Sequence, residues 1–349
     1  MKTIILLVAA LSVFSACSAE DLLIVLNKDE ATAWLIEPAT GEAVAKVAVG
    51  EGPHEAAVSP DGRKAVVCNY GAGSDGNTLS VIDIEKRTVV KTIRLGPYTR
   101  PHGIQYFSDG RHVLVTSETT GKLVKVNIEE GAVVAVFESG GDSHMVLLNR
   151  GGTTAYSTSI QAGLLGVTRL DEEAGGTSVV STGSGTEAIA LRPDEAEVWV
   201  ALNRANELTV VDLETMNVTA EIECGWFPIR LAFTPDGSHV LATGMLSGDL
   251  IVIDASTRTI VRRVALGDFV LKESDWVGLD EPAGQALVDE VVERGPRPIG
   301  ILIDPDGQYA YVANRGLNHI AVVDLKSWEV VKRIQTGAGP DGMAWSRLR

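Results

Sequence analysis

From Gly50 to Gly96 the chain alternates short hydrophobic, β-branched runs with turn-forming stretches: EAAVSP, KAVVCNY, TLSVIDI and TVVKTIRL, parted by PDG, GAGSDGN and EKR. Runs of that length with that punctuation predict a meander of four antiparallel strands. One such sheet cannot bury both of its faces alone. The block recurs, opened by Gly50, Gly96, Gly140, Gly183, Gly225, Gly295 and Gly337, at spacings of 46, 44, 43, 42, 70 and 42 residues. A four-strand repeat of about 40 to 45 residues predicts a β-propeller. The long spacing is one 42-residue repeat plus a 28-residue insertion.

Matching marks keep the blocks in register. The turn after the first strand reads SPDG, FSDG, RPDE, TPDG and DPDG in five blocks, and the third strand ends in Val81-Ile82-Asp83, Val210-Val211-Asp212, Val252-Ile253-Asp254 or Val322-Val323-Asp324. The third block, 140 to 182, is the most degenerate. Six blocks are complete. The C-terminal GPDGMAWS supplies a first strand with nothing after it, and residues 22 to 49 supply three strands without a first. The expected fold is therefore all-β: a seven-bladed propeller with four antiparallel strands per blade, the last blade closed by both chain ends so that no edge is left open. Within the insertion, Asp280 as N-cap, Pro282, the apolar Ala286, Leu287, Val291 and Val292, and Gly295 as stop predict a short helix, as a lid over the channel or a spacer.

Aligning the blocks on the Asp of the PDG turn brings one column into view, seven residues earlier: Asp341, His54, His102, His144, Glu187, Ile229 and Ile299. Three of the six histidines stand there on successive blades, flanked by two acids. The residue before is Pro in five blades, which predicts an extended entry into the innermost strand. Side chains of the column are expected to converge on one mouth of the channel, here called the top. Imidazole and carboxylate groups suit Zn, Fe, Cu or Ni, so His54, His102, His144 and Glu187 are candidate metal ligands. Asp341 and Glu187 are candidate general bases. Structural histidines bonded to neighbouring backbone or to water are the alternative. Arg100, Arg230 and Arg297 flank the column as candidates for a carboxylate or phosphate, or as partners of Glu55, Glu187 or the acidic top loops. Asn69, Asn203, Arg204, Asn314 and Arg315, at the ends of second strands, are candidate further ligand contacts, the asparagines alternatively as caps of those strand ends.

Charge and the N-terminus narrow the function classes. The formal net charge of -16 argues against nucleic acid or an anionic membrane surface as partner. Residues 1 to 19 read as an export signal, with a short apolar run from Ile4 to Phe14. Phe14-Ser15-Ala16-Cys17 resembles a bacterial lipobox, with the signal ending at residue 16 and lipid on Cys17; ordinary cleavage after Ala19 is the other reading. The domain proper is then 20 to 349, with the insertion at about 268 to 294. Cys68 and Cys224 fall on non-adjacent blades and are expected as free, buried thiols. Gly71 to Gly76 spells GxGxxG but leads into a strand, so no dinucleotide site follows. No HExxH, P-loop, CxxC, GxSxG or CxxCH is present.

The sixth complete block, and YVANRGLNHIAVVD (311 to 324) within it, resembles the YVTN-type, YncE-like β-propeller repeats of bacterial exported and surface proteins. The resemblance spans essentially the mature chain. It implies a monomeric propeller in the periplasm or cell envelope, touching the membrane only through its lipid. Its top face would hold a small molecule, a metal ion or a partner protein. The family's likeness to lactonase-type propellers implies a second reading, a metal-dependent hydrolase or lyase with His54, His102, His144 and Glu187 as ligands. Its likeness to quinoprotein and cytochrome d1-like propellers implies a third, an accessory protein of a periplasmic quinone or haem system.

Overall fold

The computed structural model describes residues 21–171, 176–269 and 282–348. Their 28 strands form seven four-stranded antiparallel sheets, each one blade. Blades 1 to 6 begin with the strands Pro53–Val58, Pro101–Tyr106, Val146–Leu148, Thr186–Leu191, Pro228–Phe233 and Pro298–Ile303. Blade 7 joins Pro340–Arg347 to Asp21–Asn27, Thr32–Ile36 and Ala43–Ala48, closing the ring with both chain ends. At the seam the Arg347 guanidinium bonds Asp21 at 2.7 Å through Nε and Nη2, and Asp306 at 3.0 and 2.8 Å. The degeneracy of the third block has a structural counterpart, since its first strand shrinks to three residues.

Strand position explains the sequence pattern. Second strands such as Lys64–Asn69 and His112–Ser117 are buried on both faces, hence their unbroken apolar runs. Fourth strands such as Ala132–Glu138 alternate exposed and half-buried residues on the outer surface. The core is seven separate wedges, one between each pair of neighbouring blades. The wedge between blades 4 and 5 is built on the fully buried Trp199, whose indole meets Phe233 edge-on at 5.8 Å. Cys68 and Cys224 are buried in different wedges, both as free thiols.

Threonines tie several blades together near the top. Thr116, Thr158 and Thr243 each donate to the backbone carbonyl of the column residue on the next blade, at 2.7 Å to His144, 2.9 Å to Glu187 and 2.9 Å to Ile299. The insertion contains the expected helix, Pro282–Arg294. Val291 is buried, whereas Ala286 and Val292 are exposed. The expected cap Asp280 and the expected export signal lie outside the described residues. Just past the helix, the Pro296 carbonyl accepts the Gly316 N–H at 2.9 Å.

Candidate functional site

The chain does not enter the inner strands extended. Gly52, Arg100, Gly185, Phe227, Arg297 and Gly339, the residues before the inner strand, have φ of 58°, 52°, 82°, 57°, 45° and 66°. This corrects the expectation drawn from the prolines. The left-handed turn lets each carbonyl accept an N–H from the first residue past the second strand: Tyr70, Glu118, Asn203, Met245, Arg315 and Lys28, at 2.9 to 3.3 Å. Pairing buried or half-buried backbone groups offsets the cost of the conformation, about 1–2 kcal/mol for a non-glycine residue. Strand register then slips around the column in most blades, between Pro53 and Ala56, Pro101 and Ile104, Thr186 and Ala188, Pro228 and Arg230, and Pro298 and Ile301. Such bulges re-aim side chains. Both the column residue and its successor thereby come to the channel mouth.

The five polar residues of the column form one arc. The His54 and His102 rings lie with centroids 3.8 Å apart and planes tilted by 49°, and those of His102 and His144 at 3.7 Å and 39°. At one end Asp341 Oδ2 lies 3.6 Å from His54 Nδ1. At the other, His144 Nε2 meets Glu187 Oε1 at 2.8 Å, and its Nδ1 meets Glu118 Oε1 at 3.3 Å. Arg230 spans the channel from blade 5, donating to Glu55 Oε1 at 3.0 and 2.8 Å and to Glu187 Oε1 at 3.1 Å. Asn203 completes Glu187, donating to Oε2 at 2.9 Å.

The three adjoining imidazoles sit in unlike fields. Burial, then the charges of Lys28 and Arg230, push the His54 pKa well below the ordinary range. Burial, then His144 and His54, do the same to His102. Both are neutral imidazoles at neutral pH. Burial also disfavours charging His144, but the Glu187 carboxylate and the Glu118 hydrogen bond outweigh it and raise its pKa. Glu187 is correspondingly lowered: burial opposes ionisation, and His144 and Arg230 override it. Glu55 is raised by burial, with Arg230 working against that rise.

His144 and Glu187 are thus engaged with each other, Arg230, Glu118 and Asn203. Among the described residues, the group whose donor atoms all lie within 4.8 Å of one another is His54, Glu55 and His102. Both ring nitrogens of His102, which is 1% exposed, lack a hydrogen-bond partner, and so does His54 Nδ1. Both carboxylate oxygens of Asp341 are likewise buried without a hydrogen bond. Unpartnered buried polar atoms are costly, and two neutral imidazoles beside a carboxylate form a donor set that fits a divalent transition metal.

The other sequence candidates divide. Arg100 lies over the Tyr70 ring at 4.4 Å and pairs with Glu118 at 2.9 Å, on the rim of the arc. Arg297 lies beside Arg315, and burial and that neighbouring charge lower its pKa. Asn69 caps its own blade, bonding Thr78, Ser80 and the Gly50 N–H. Asn314 is bonded to His319 at 3.0 Å. Sequence reading missed Glu118, Tyr70 and Lys28, and placed Glu55 only as a partner for an arginine and Arg315 only as a further contact. Two further aligned columns carry them: the one after the column residue (Glu55, Arg230) and the one past the second strand (Lys28, Tyr70, Glu118, Asn203, Arg315). Tyr70 roofs the imidazole pair, its ring 5.2 Å from His54 and 5.6 Å from His102.

No family model matches the chain. Over 211 residues it is 26% identical to proteins named "Uncharacterized protein YncE" from Salmonella typhimurium LT2 and Salmonella typhi. The chain is a seven-bladed β-propeller with distant homology to YncE proteins. The match covers 52% of this propeller and 60% of each relative's length. Among solved structures the propeller fold is shared with a functionally unknown protein from Desulfotomaculum acetoxidans (TM-score 0.71, 13% identity, 94% of this chain and 99% of that one). It is shared too with Kuenenia stuttgartiensis hydrazine synthase (0.67, 17%, 84% and 89%) and with the dihydro-haem d1 dehydrogenase NirN (0.62, 15%, 91% and 64%). At such identities these likenesses speak to fold alone.

Proposed function

We propose that this propeller is an exported, lipid-anchored binding protein that holds a divalent transition metal at its top mouth through His54, Glu55 and His102. One observation carries the reading: the His102 imidazole is buried with neither nitrogen hydrogen-bonded, beside a second neutral imidazole and a carboxylate. Neutral imidazole is the form that binds a metal. Arg230, bonded to Glu55 Oε1, orients that carboxylate from behind, as outer partners of metal ligands do. Export rests on the N-terminal sequence. Asp21 begins its strand on the face opposite the mouth, and four residues from Cys17 reach at most about 14 Å. A lipid on Cys17 would hold that opposite face to the membrane and leave the mouth outward.

The test is elemental analysis of the chain from residue 20 onward, purified without chelator, beside a His54→Ala, His102→Ala variant. About one equivalent of metal in the parent and none in the folded variant is expected. A parent that stays metal-free after reconstitution would overturn the reading. Asp341 favours a second reading, metal-assisted hydrolysis or elimination. It is a buried carboxylate with both oxygens free of hydrogen bonds, 3.6 Å from His54, where it would take a proton from a reacting group. Glu187, with both oxygens engaged, is suited to hold His144 and Arg230 in place. Lactone and ester screens of the metal-loaded protein and of Asp341→Asn test that reading.

A further inference from the structure

The charges around the mouth are already balanced before any metal is added. The inner acids are Glu55, Glu118, Glu187 and Asp341, and each faces a cation. Arg230 pairs with Glu55 at 2.8 Å and Glu187 at 3.1 Å, and Arg100 with Glu118 at 2.9 Å. Lys28 and Arg315 approach Asp341 at 3.5 and 3.8 Å. Four basic side chains, besides His144 between Glu118 and Glu187, thus answer four acids in a pocket where Asp341 is 1% and Arg230 6% exposed. Asp29 and Asp75 reach Arg315 and Arg100 from the rim, but both are more than half exposed, so water and salt screen them. A divalent ion on His54, Glu55 and His102 would bring two positive charges with no inner acid left to match them. Buried charge without a partner is expensive.

We infer that the metal-loaded mouth is a receptor for a small oxyanion, a carboxylate or phosphate, held against the ion by Lys28 and Arg315. This rests on the metal reading above. Lys28 and Arg315 are the fitting cations because they reach Asp341 only at 3.5 and 3.8 Å, and the closer bond of Arg315, to Asp29 at 2.8 Å, lies on the screened rim, whereas Arg230 is hydrogen-bonded to both Glu55 and Glu187 and Arg100 pairs with Glu118 at 2.9 Å. Both stand in the column just past the second strand, the tier above the arc, and the Lys28 ammonium lies 5.0 Å over the Tyr70 ring that roofs the imidazole pair. An anion arriving from solvent meets these two side chains before it meets the ion. The chain as a whole repels anions at a net charge of -16, so selectivity must be local.

Metal and anion are then coupled ligands, and each must tighten the other by the same factor. Cobalt(II) serves as the probe, because its visible spectrum reports its ligands. The chain from residue 20 onward is titrated with Co2+ alone and with acetate or inorganic phosphate present, and the loaded protein is then titrated with each anion. The expected result is a saturable spectral change with at least one anion and Co2+ affinity about tenfold tighter in its presence. The Lys28→Gln, Arg315→Gln variant, checked for fold by circular dichroism, is expected to keep Co2+ binding and lose the response to anions. No bound cobalt overturns the metal reading itself. Cobalt bound with one affinity and one spectrum, whatever the anion, overturns the oxyanion inference and leaves the metal reading standing. An undiminished response in the folded double variant overturns the assignment to Lys28 and Arg315.

Discussion

The top mouth and the bottom turns are both built from columns of aligned residues, yet they are satisfied in opposite ways. At the bottom, Asp61 and Asp236 hold the same post in their turns. Asp61 accepts from the Ser59 hydroxyl at 2.6 Å and the Arg63 N–H at 3.0 Å; Asp236 accepts from Thr234 at 2.6 Å and the Ser238 N–H at 3.0 Å. Each turn is closed within a few residues of itself. At the top, the column changes from Asp to His to Glu to Ile around the ring, and His54, His102 and Asp341 are left with buried atoms that make no hydrogen bond. A position that repeats its residue blade after blade serves the blade. A position that changes while its backbone setting stays the same serves the ring, through partners on other blades or a ligand.

The comparison breaks first at Arg230, where the top is held together across the channel. Arg230→Met would leave Glu55 and Glu187 without their shared cation, and unfolding in denaturant should show a loss of about 3–5 kcal/mol. A loss below about 1 kcal/mol would mean that solvent already screens the pair. Thr158→Val comes next. It strips the Met145 N–H and the Glu187 carbonyl of their shared hydroxyl between blades 3 and 4, with an expected cost of about 1–3 kcal/mol by the same measurement. The smallest effect belongs to the bottom. Thr234 and Ser238 hold the Asp236 carboxyl down to about 2. Its folded value lies below the ordinary 3.8, so its stabilisation is full above that range and is lost as pH falls toward 2. Asp236 is largely exposed, so Asp236→Asn should cost only about 0.5 kcal/mol at pH 7 and flatten the acid limb of a stability-pH profile by as little. An unchanged acid limb would show that the turn does not depend on its charge.

The ring was legible because its causes are local and repeated. Spacing of the opening glycines, the PDG turns and the VID triplets set seven blades and the stitched closure, and the structure has both. The column of histidines and acids was legible for the same reason. Its geometry was not, because a bulge is a relation between two strands and leaves no mark on either one alone. The slip between Pro53 and Ala56 brings Glu55 to the mouth beside His54, and that between Pro228 and Arg230 sends Arg230 across to meet it. The left-handed Arg100, Phe227 and Arg297 were hidden likewise, since what favours them is a carbonyl wanted by Glu118, Met245 and Arg315, far along the chain.

The central claim is that the buried imidazole of His102 is kept for a metal and not for the fold. The measurement is the unfolding midpoint of the metal-free chain, titrated with Zn2+, for the parent and for His102→Leu. Without metal, the variant should be more stable by about 1 kcal/mol, because an unpartnered polar ring is replaced by an apolar side chain. With metal at a hundred times its dissociation constant, the parent should gain about 2.7 kcal/mol and the variant far less. A variant less stable than the parent without metal, together with equal responses to Zn2+, would contradict the account and make His102 a structural residue.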